Sequence, residues 1–118
     1  MLVWDETDVL TCLEVMPEIE PDGIWHKYTV LKHGMRLELT VYQYDGDVFL
    51  DLYRDGIEKR IFSMKLINCP GVRYVKDKKG EHLEFAHSQA FASRYDGEST
   101  VPFGVRLGVN PTISIELY

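Results

Sequence analysis

Residues 25–62 read WHKYTVLKHGMRLELTVYQYDGDVFLDLYRDGIEKRIF, and the alternation within them decides the fold class. Apolar residues recur at every second position on both sides of three short interruptions, His33-Gly34, Asp45-Gly46 and Asp55-Gly56. A period of two marks strands with one buried face, and Gly-containing dipeptides between such runs mark hairpin turns. Two-residue turns also set register. Closing the chain at His33-Gly34 places Trp25 beside Tyr42 and Tyr28 beside Leu39. Closing it at Asp45-Gly46 places Val41 opposite Leu50 and Tyr42 opposite Phe49. Asp55-Gly56 then sets Phe49 beside Phe62, Leu50 beside Ile61 and Asp51 beside Arg60. The expected product is a four-stranded antiparallel meander.

The core face of that meander carries Tyr28, Val30, Leu37, Leu39, Val41, Leu50, Leu52 and Ile61, with His26 beside Val41. The other face carries a row of rings, Trp25, Tyr42, Phe49 and Phe62. Beside it run Lys27, Thr40, Asp51 and Arg60, and then Thr29, Glu38, Tyr53 and Glu58. Opposite charges meeting across strands support the register, each such pair contributing up to about 1 kcal/mol.

The same pattern continues outward. Val72–Val75 and His82–Ala86 read as two further strands around a basic tip, Lys76–Lys79. Phe103–Val109 and Ile113–Leu117 read as a hairpin. A two-residue loop at Asn110-Pro111 would mix its faces. A three-residue loop, Asn110–Thr112, sets Leu107 against Ile115, Val105 against Leu117, Arg106 beside Glu116 and Tyr118 over Gly104. Helical spacing occurs only in Asp5–Met16, where Val9, Leu10, Leu13 and Met16 follow a capping Asp5 or Thr7 and precede Pro17. The expected fold class is all-β, mainly antiparallel, a β-sandwich or partly closed barrel with one short N-terminal helix at most. Residues 1–118 are expected to form a single domain.

The chain has 13 Lys and Arg against 19 Asp and Glu in 118 residues, a formal charge of −6. A nucleic-acid binder held by phosphate contacts wants the opposite sign. No run reaches the ~18–20 apolar residues of a membrane helix. The opening MLVWDETDVL has neither the basic region nor the cleavage site of a signal peptide, so the expected location is cytoplasmic. Cys12 and Cys69 read as two buried thiols, since a disulfide scaffold or zinc site uses more cysteines at closer spacing. In His82-Leu-Glu-Phe-Ala-His87, the residues His82 and Glu84 share a strand face while His87 points away, which spoils a metal site. No metal or other cofactor is expected. Nucleophile elbows, phosphate loops and Cys or Ser with a matching His are absent, so no catalytic residue is assigned and the reading is non-enzymatic.

Charge is uneven along the chain. The first 26 residues hold seven acids, Asp5, Glu6, Asp8, Glu14, Glu18, Glu20 and Asp22, and no Lys or Arg. Two partner-binding patches are expected. One is the acidic set Asp5, Glu6, Asp8, Glu18, Glu20 and Asp22. The other is the mixed face of Trp25, Tyr42, Asp51 and Tyr53. Such surfaces select a basic protein partner, with charge raising the encounter rate and rings supplying the anchors.

In size, acidity and strand layout, and most of all in Ile57–Val75 (IEKRIFSMKLINCPGVRYV), the sequence resembles small β-rich bacterial immunity proteins. These are paired with polymorphic or contact-dependent toxins. The resemblance implies a cytosolic inhibitor that caps the active site of a cognate toxin domain, often a basic nuclease. Two other classes fit the residues: a carbohydrate-binding module stacking sugars on the ring row, and a structural or assembly subunit whose aromatic face is a second core. The sequence assigns no oligomeric state.

Overall fold

Short turns between alternating strands lay down two sheets in chain order. The computed structural model describes residues 1–78, 80–91 and 94–118. A short helix, α1 (Glu6–Leu13), comes first; the Asp5 carboxylate caps it by accepting the Thr7 N–H at 2.8 Å. Glu6 and Asp8 in the first turn complement the positive end of the helix dipole. The helix ends earlier than its apolar spacing predicts. Glu14 adopts the left-handed conformation (φ 59°) and its N–H closes on the Leu10 carbonyl, so Met16 lies outside the helix.

The first sheet contains β1 (Glu18–Ile19), β2 (Trp25–Lys32), β3 (Met35–Tyr42), β4 (Asp47–Arg54) and β5 (Arg60–Leu66), antiparallel and in that order. The second contains β6 (Val72–Asp77), β7 (Gly80–Ala86), β8 (Gly104–Gly108) and β9 (Ser114–Leu117), again in order. Lys79 of the basic tip lies outside the described residues. One buried cluster joins Tyr28, Val30, Leu37, Leu39, Val41, Val48 and Leu50 of the first sheet to Val72, Leu83, Phe85, Val105 and Leu107 of the second. Val9, Cys12 and Leu13 add the face of α1, which packs on β6 and β7. The architecture is the expected all-β sandwich with one short helix, and the sheets do not close into a barrel. Cys12 and Cys69 are free and buried, and burial pushes both thiols up to about 12.

Two hairpins have the expected register. Trp25 pairs with Tyr42 and Tyr28 with Leu39 across a turn in which His33 (φ 51°) and Gly34 (φ 77°) are both left-handed. That backbone twist matches the twist of the flanking strands. Leu107 pairs with Ile115, Arg106 with Glu116 and Val105 with Leu117, while Tyr118 and Gly104 exchange backbone hydrogen bonds.

The middle hairpins correct the expected register. Val41 pairs with Val48 and Leu39 with Leu50, two residues from the expected partners, because four residues from Gln43 to Gly46 make the turn. Tertiary contacts hold this wider loop: Leu2 N–H donates to the Gln43 carbonyl and Cys69 N–H to the Gly46 carbonyl. A side chain at Gly46 would stand 3.0 Å from the Cys69 carbonyl oxygen. The slip is even, so the faces are kept.

At β4 and β5 the slip is odd. Leu50 pairs with Met64 and Leu52 with Phe62, with a bulge at Leu52/Tyr53 that leaves Arg60 opposite Tyr53. Phe62 therefore turns toward the core side while Ile61 is 61% exposed, the reverse of the expectation. The expected register would have aimed Ser63 and Lys65 inward with Ile61; the observed one sends Phe62, Met64 and Leu66. Desolvating a lysine costs more than a bulge, so the strand flips.

Candidate functional site

The acidic residues of the first patch do not form one surface. Asp5 is committed to the helix cap, and a Glu20 oxygen accepts the N–H groups of Asp22 and Ile24. Asp8 faces β6, bordering a shallow depression with Arg73, Tyr74, Lys76 and Glu98; burial, then the neighbouring Asp5 charge, raises its carboxyl. Glu6 reaches the other way, 3.7 Å from Nε2 of the buried His26, which Trp4 meets edge-on at 5.0 Å between ring centres. Glu18 on β1 sits opposite Lys27, and Lys27 is already held by Glu38 at 3.1 Å. Glu18 and Asp22 are exposed.

The second patch also divides. Trp25 and Tyr42 are paired and half-buried at one end of the first sheet's outer face, with Phe49 5.1 Å from the Tyr42 ring. Lys65 lies over Phe49 at 5.2 Å. The expected fourth ring, Phe62, is on the opposite face, so the continuous platform drawn from the sequence is cut to three rings. Asp51 faces Glu38, which is four residues along β3 from Tyr42, roughly 13 Å at ~3.3 Å per residue. There Asp51 accepts Arg60 at 3.2 Å and Ser63 at 2.8 Å, and Arg36 stacks 4.2 Å above Tyr53.

The most strongly built polar cluster is one the sequence reading left out. Register places Arg73, Glu84, Arg106 and Glu116 side by side across β6, β7, β8 and β9. Glu84 is only 4% exposed. Its carboxylate meets Arg73 at 3.5 Å, Arg106 at 3.3 Å and His82 at 3.5 Å, and Arg106 continues to Glu116 at 3.3 Å. The Arg106 guanidinium stacks 3.7 Å over the Tyr118 ring, whose phenol is pushed up to about 12 by burial and by the Glu84 charge. Part of the signal is local: counting back from the β8–β9 loop pairs Arg106 with Glu116, but residues 87–103 separate β7 from β8 and no turn count crosses them. His82 and Glu84 share a face as expected, while His87 lies outside the cluster against Phe103. Beside the row, Val75, Asp77, Lys78 and His82 border a hollow of about 550 Å³ with Glu84, Arg106 and Glu116. Among the described residues, no group of three or more His, Cys, Asp or Glu is placed to hold a metal ion. The Arg106 Nε–H donates to Glu84 Oε2 at 3.3 Å and Arg73 stands 3.5 Å from Oε1, so one carboxylate ties three neighbouring strands together.

No family model matches the chain, and no curated protein matches it. Among solved structures, a chain of the "Contact-dependent growth inhibition toxin - immunity protein complex from Klebsiella pneumoniae 342" superposes with a TM-score of 0.77. The fold is shared. The match covers 99% of this chain and 96% of that one at 16% identity. The neighbour comes from the kind of system that the sequence resembles, and the correspondence runs through both sheets and the helix rather than one hairpin.

Proposed function

We propose that this chain is an immunity protein that acts in the cytoplasm, binding and neutralising a cognate toxin domain without turnover of its own. The observation that carries the reading is the end-to-end correspondence of fold with a chain of a toxin–immunity complex. The charge of −6 and the cation-free first 26 residues support a basic toxin surface as the target, such as that of a nuclease. Neither nucleic acid nor membrane is a partner in this reading. Charge at Glu6, Glu18 and Asp22 acts on encounter, while Trp25 and Tyr53 are the side chains suited to anchor a complex.

Co-expression tests the reading. The toxin domain encoded beside this chain should arrest growth when expressed alone. Together they should permit growth and copurify as a complex. Charge reversal at Glu6, Glu18 and Asp22 should slow association and flatten its dependence on salt; truncating Trp25 or Tyr53 should speed dissociation, by about 2 kcal/mol or more where the ring is a hot spot. Growth arrest that this chain does not relieve would refute the proposal.

A further inference from the structure

The early end of α1 creates a surface that its sequence pattern does not announce. Between α1 and β1 lies a mainly apolar hollow of about 170 Å³, lined by Leu10, Met16, Pro17, Ile19 and Tyr28 together with Glu6 and Thr7. Met16 is 77% exposed and Ile19 49% exposed, so two large apolar side chains stand uncovered at its mouth. The volume is of the order of the ~150 Å³ apolar cavity that takes up benzene, which is room for one large apolar side chain.

The surroundings of the hollow select what enters. Glu6 borders it with its side chain 57% exposed, while Glu18, paired with Lys27, lies on the other face of the sheet. No Lys or Arg precedes residue 27, and Lys27, opposite Glu18, is engaged by Glu38. An apolar centre with a carboxylate at its edge and no cation in its lining is complementary to an apolar residue beside a cation. Desolvated apolar anchors inside a polar rim are where binding energy concentrates, and methionine adapts its shape to an incoming group.

We propose that this hollow is a docking site for a basic segment of the partner protein, presenting one large apolar side chain next to a lysine or arginine. This deepens the immunity reading and takes the identity of the partner from it, while the chemistry of the site is tested without the toxin. Methyl-labelled protein is titrated at low salt with the peptide Lys-Lys-Leu-Lys-Lys, and in parallel with Lys-Lys-Ser-Lys-Lys and Glu-Glu-Leu-Glu-Glu. The first peptide should shift the Met16 and Ile19 methyl signals saturably. Replacing its leucine by serine should weaken binding about tenfold or more, from the value of burying one such side chain. The acidic peptide should leave both signals in place. Removing the edge charge with Glu6→Gln should weaken the first peptide and Glu18→Gln, on the other face, should not, with unchanged core methyl signals showing that the fold is intact.

The proposal is overturned if the first peptide leaves Met16 and Ile19 unmoved, or if the acidic peptide moves them equally. It is also overturned if these signals shift with protein concentration alone, because the occupant is then a second copy of the chain. Toxin neutralisation without peptide binding removes this site and keeps the immunity reading. Peptide binding by a chain that relieves no toxin removes the immunity reading and keeps the site.

Discussion

Each sheet places a carboxylate among cations on its outer face, yet the two carboxylates sit in different media. On the first sheet, Glu38 meets Lys27 and Arg36 at 3.1 Å each, and its side chain is 16% exposed. On the second, Glu84 meets Arg73 and Arg106 at 3.5 and 3.3 Å, and its side chain is 5% exposed. The difference comes from the segment between β7 and β8. Its Phe91, Tyr95 and Val101 pack with Ala86 and Tyr118, and Arg73 is tied down by donating to the Glu98 carbonyl and the Thr100 hydroxyl. Each carboxylate lies between two Lys or Arg side chains, with His82 in addition at Glu84, and the covering segment is present on the second sheet only. Charge attraction grows as the effective dielectric falls, but so does the cost of taking the charges out of water. A covered pair therefore adds little net stability while it is intact and does great damage when it is broken.

The largest expected effect tests that statement directly. Glu84→Ala leaves Arg73 and Arg106, whose side chains are 24% and 36% exposed, facing each other across the vacated position, and urea unfolding should show a loss of about 1–3 kcal/mol. A loss below about 1 kcal/mol would mean that solvent reaches the row and that the two sheets are alike. Glu38→Ala, which removes the more open of the two carboxylates, should lose only about 0.2–1 kcal/mol in the same assay. If Glu38 proves as costly as Glu84, cover is not the deciding variable.

The smallest effect reports on the cover itself. The Asp96 carboxylate accepts the N–H groups of Glu98 and Ser99 at 2.8 and 2.7 Å and the Ser99 hydroxyl at 2.7 Å. These bonds, the Ser99 amide foremost, hold its carboxyl down to about 2 from the ordinary 3.8. The folded chain thus binds this proton less readily than the unfolded one. Its stabilising contribution is complete above about pH 4 and is lost as pH falls toward 2. Carbon NMR of the Asp96 carboxyl should titrate with a midpoint near 2, and Asp96→Ala should flatten the acid slope of stability in that window. A midpoint at 3.8 would show the turn open in solution and the cover over Glu84 loose.

The site was less legible than the fold. Of the two caps the sequence offers, Asp5 and Thr7, the structure uses Asp5, through a local bond between its carboxylate and an N–H two residues on. The Arg73 to Glu116 row is written in the sequence but becomes visible only when three registers are known together. The hollow at Met16 is hidden by its own pattern: Met16 continues the apolar spacing of Val9, Leu10 and Leu13, and only the left-handed turn at Glu14 removes it from the helix.

What the sequence alone determined is whatever a residue's near neighbours decide. Alternation assigned Tyr28, Leu37, Leu39, Val41 and Leu50 to the core, and all five are buried. The His33-Gly34 turn and the β8–β9 hairpin kept their register because their backbone conformation and apolar faces agree. Tertiary structure decided the two middle hairpins. At Gly46 the chain that crosses to the second sheet packs against the turn, and the Cys69 N–H bond to Gly46, with that of Leu2 to Gln43, outweighs the preference of Asp-Gly for a two-residue loop. At Ile61 and Phe62, burying Phe62, Met64 and Leu66 while leaving Lys65 in water outweighs an unbroken ladder. It also decided the burial of Glu84, because desolvation depends on a segment folded over the sheet from a different part of the chain. Local geometry is encoded residue by residue, whereas the medium around a charge is a property of everything packed near it.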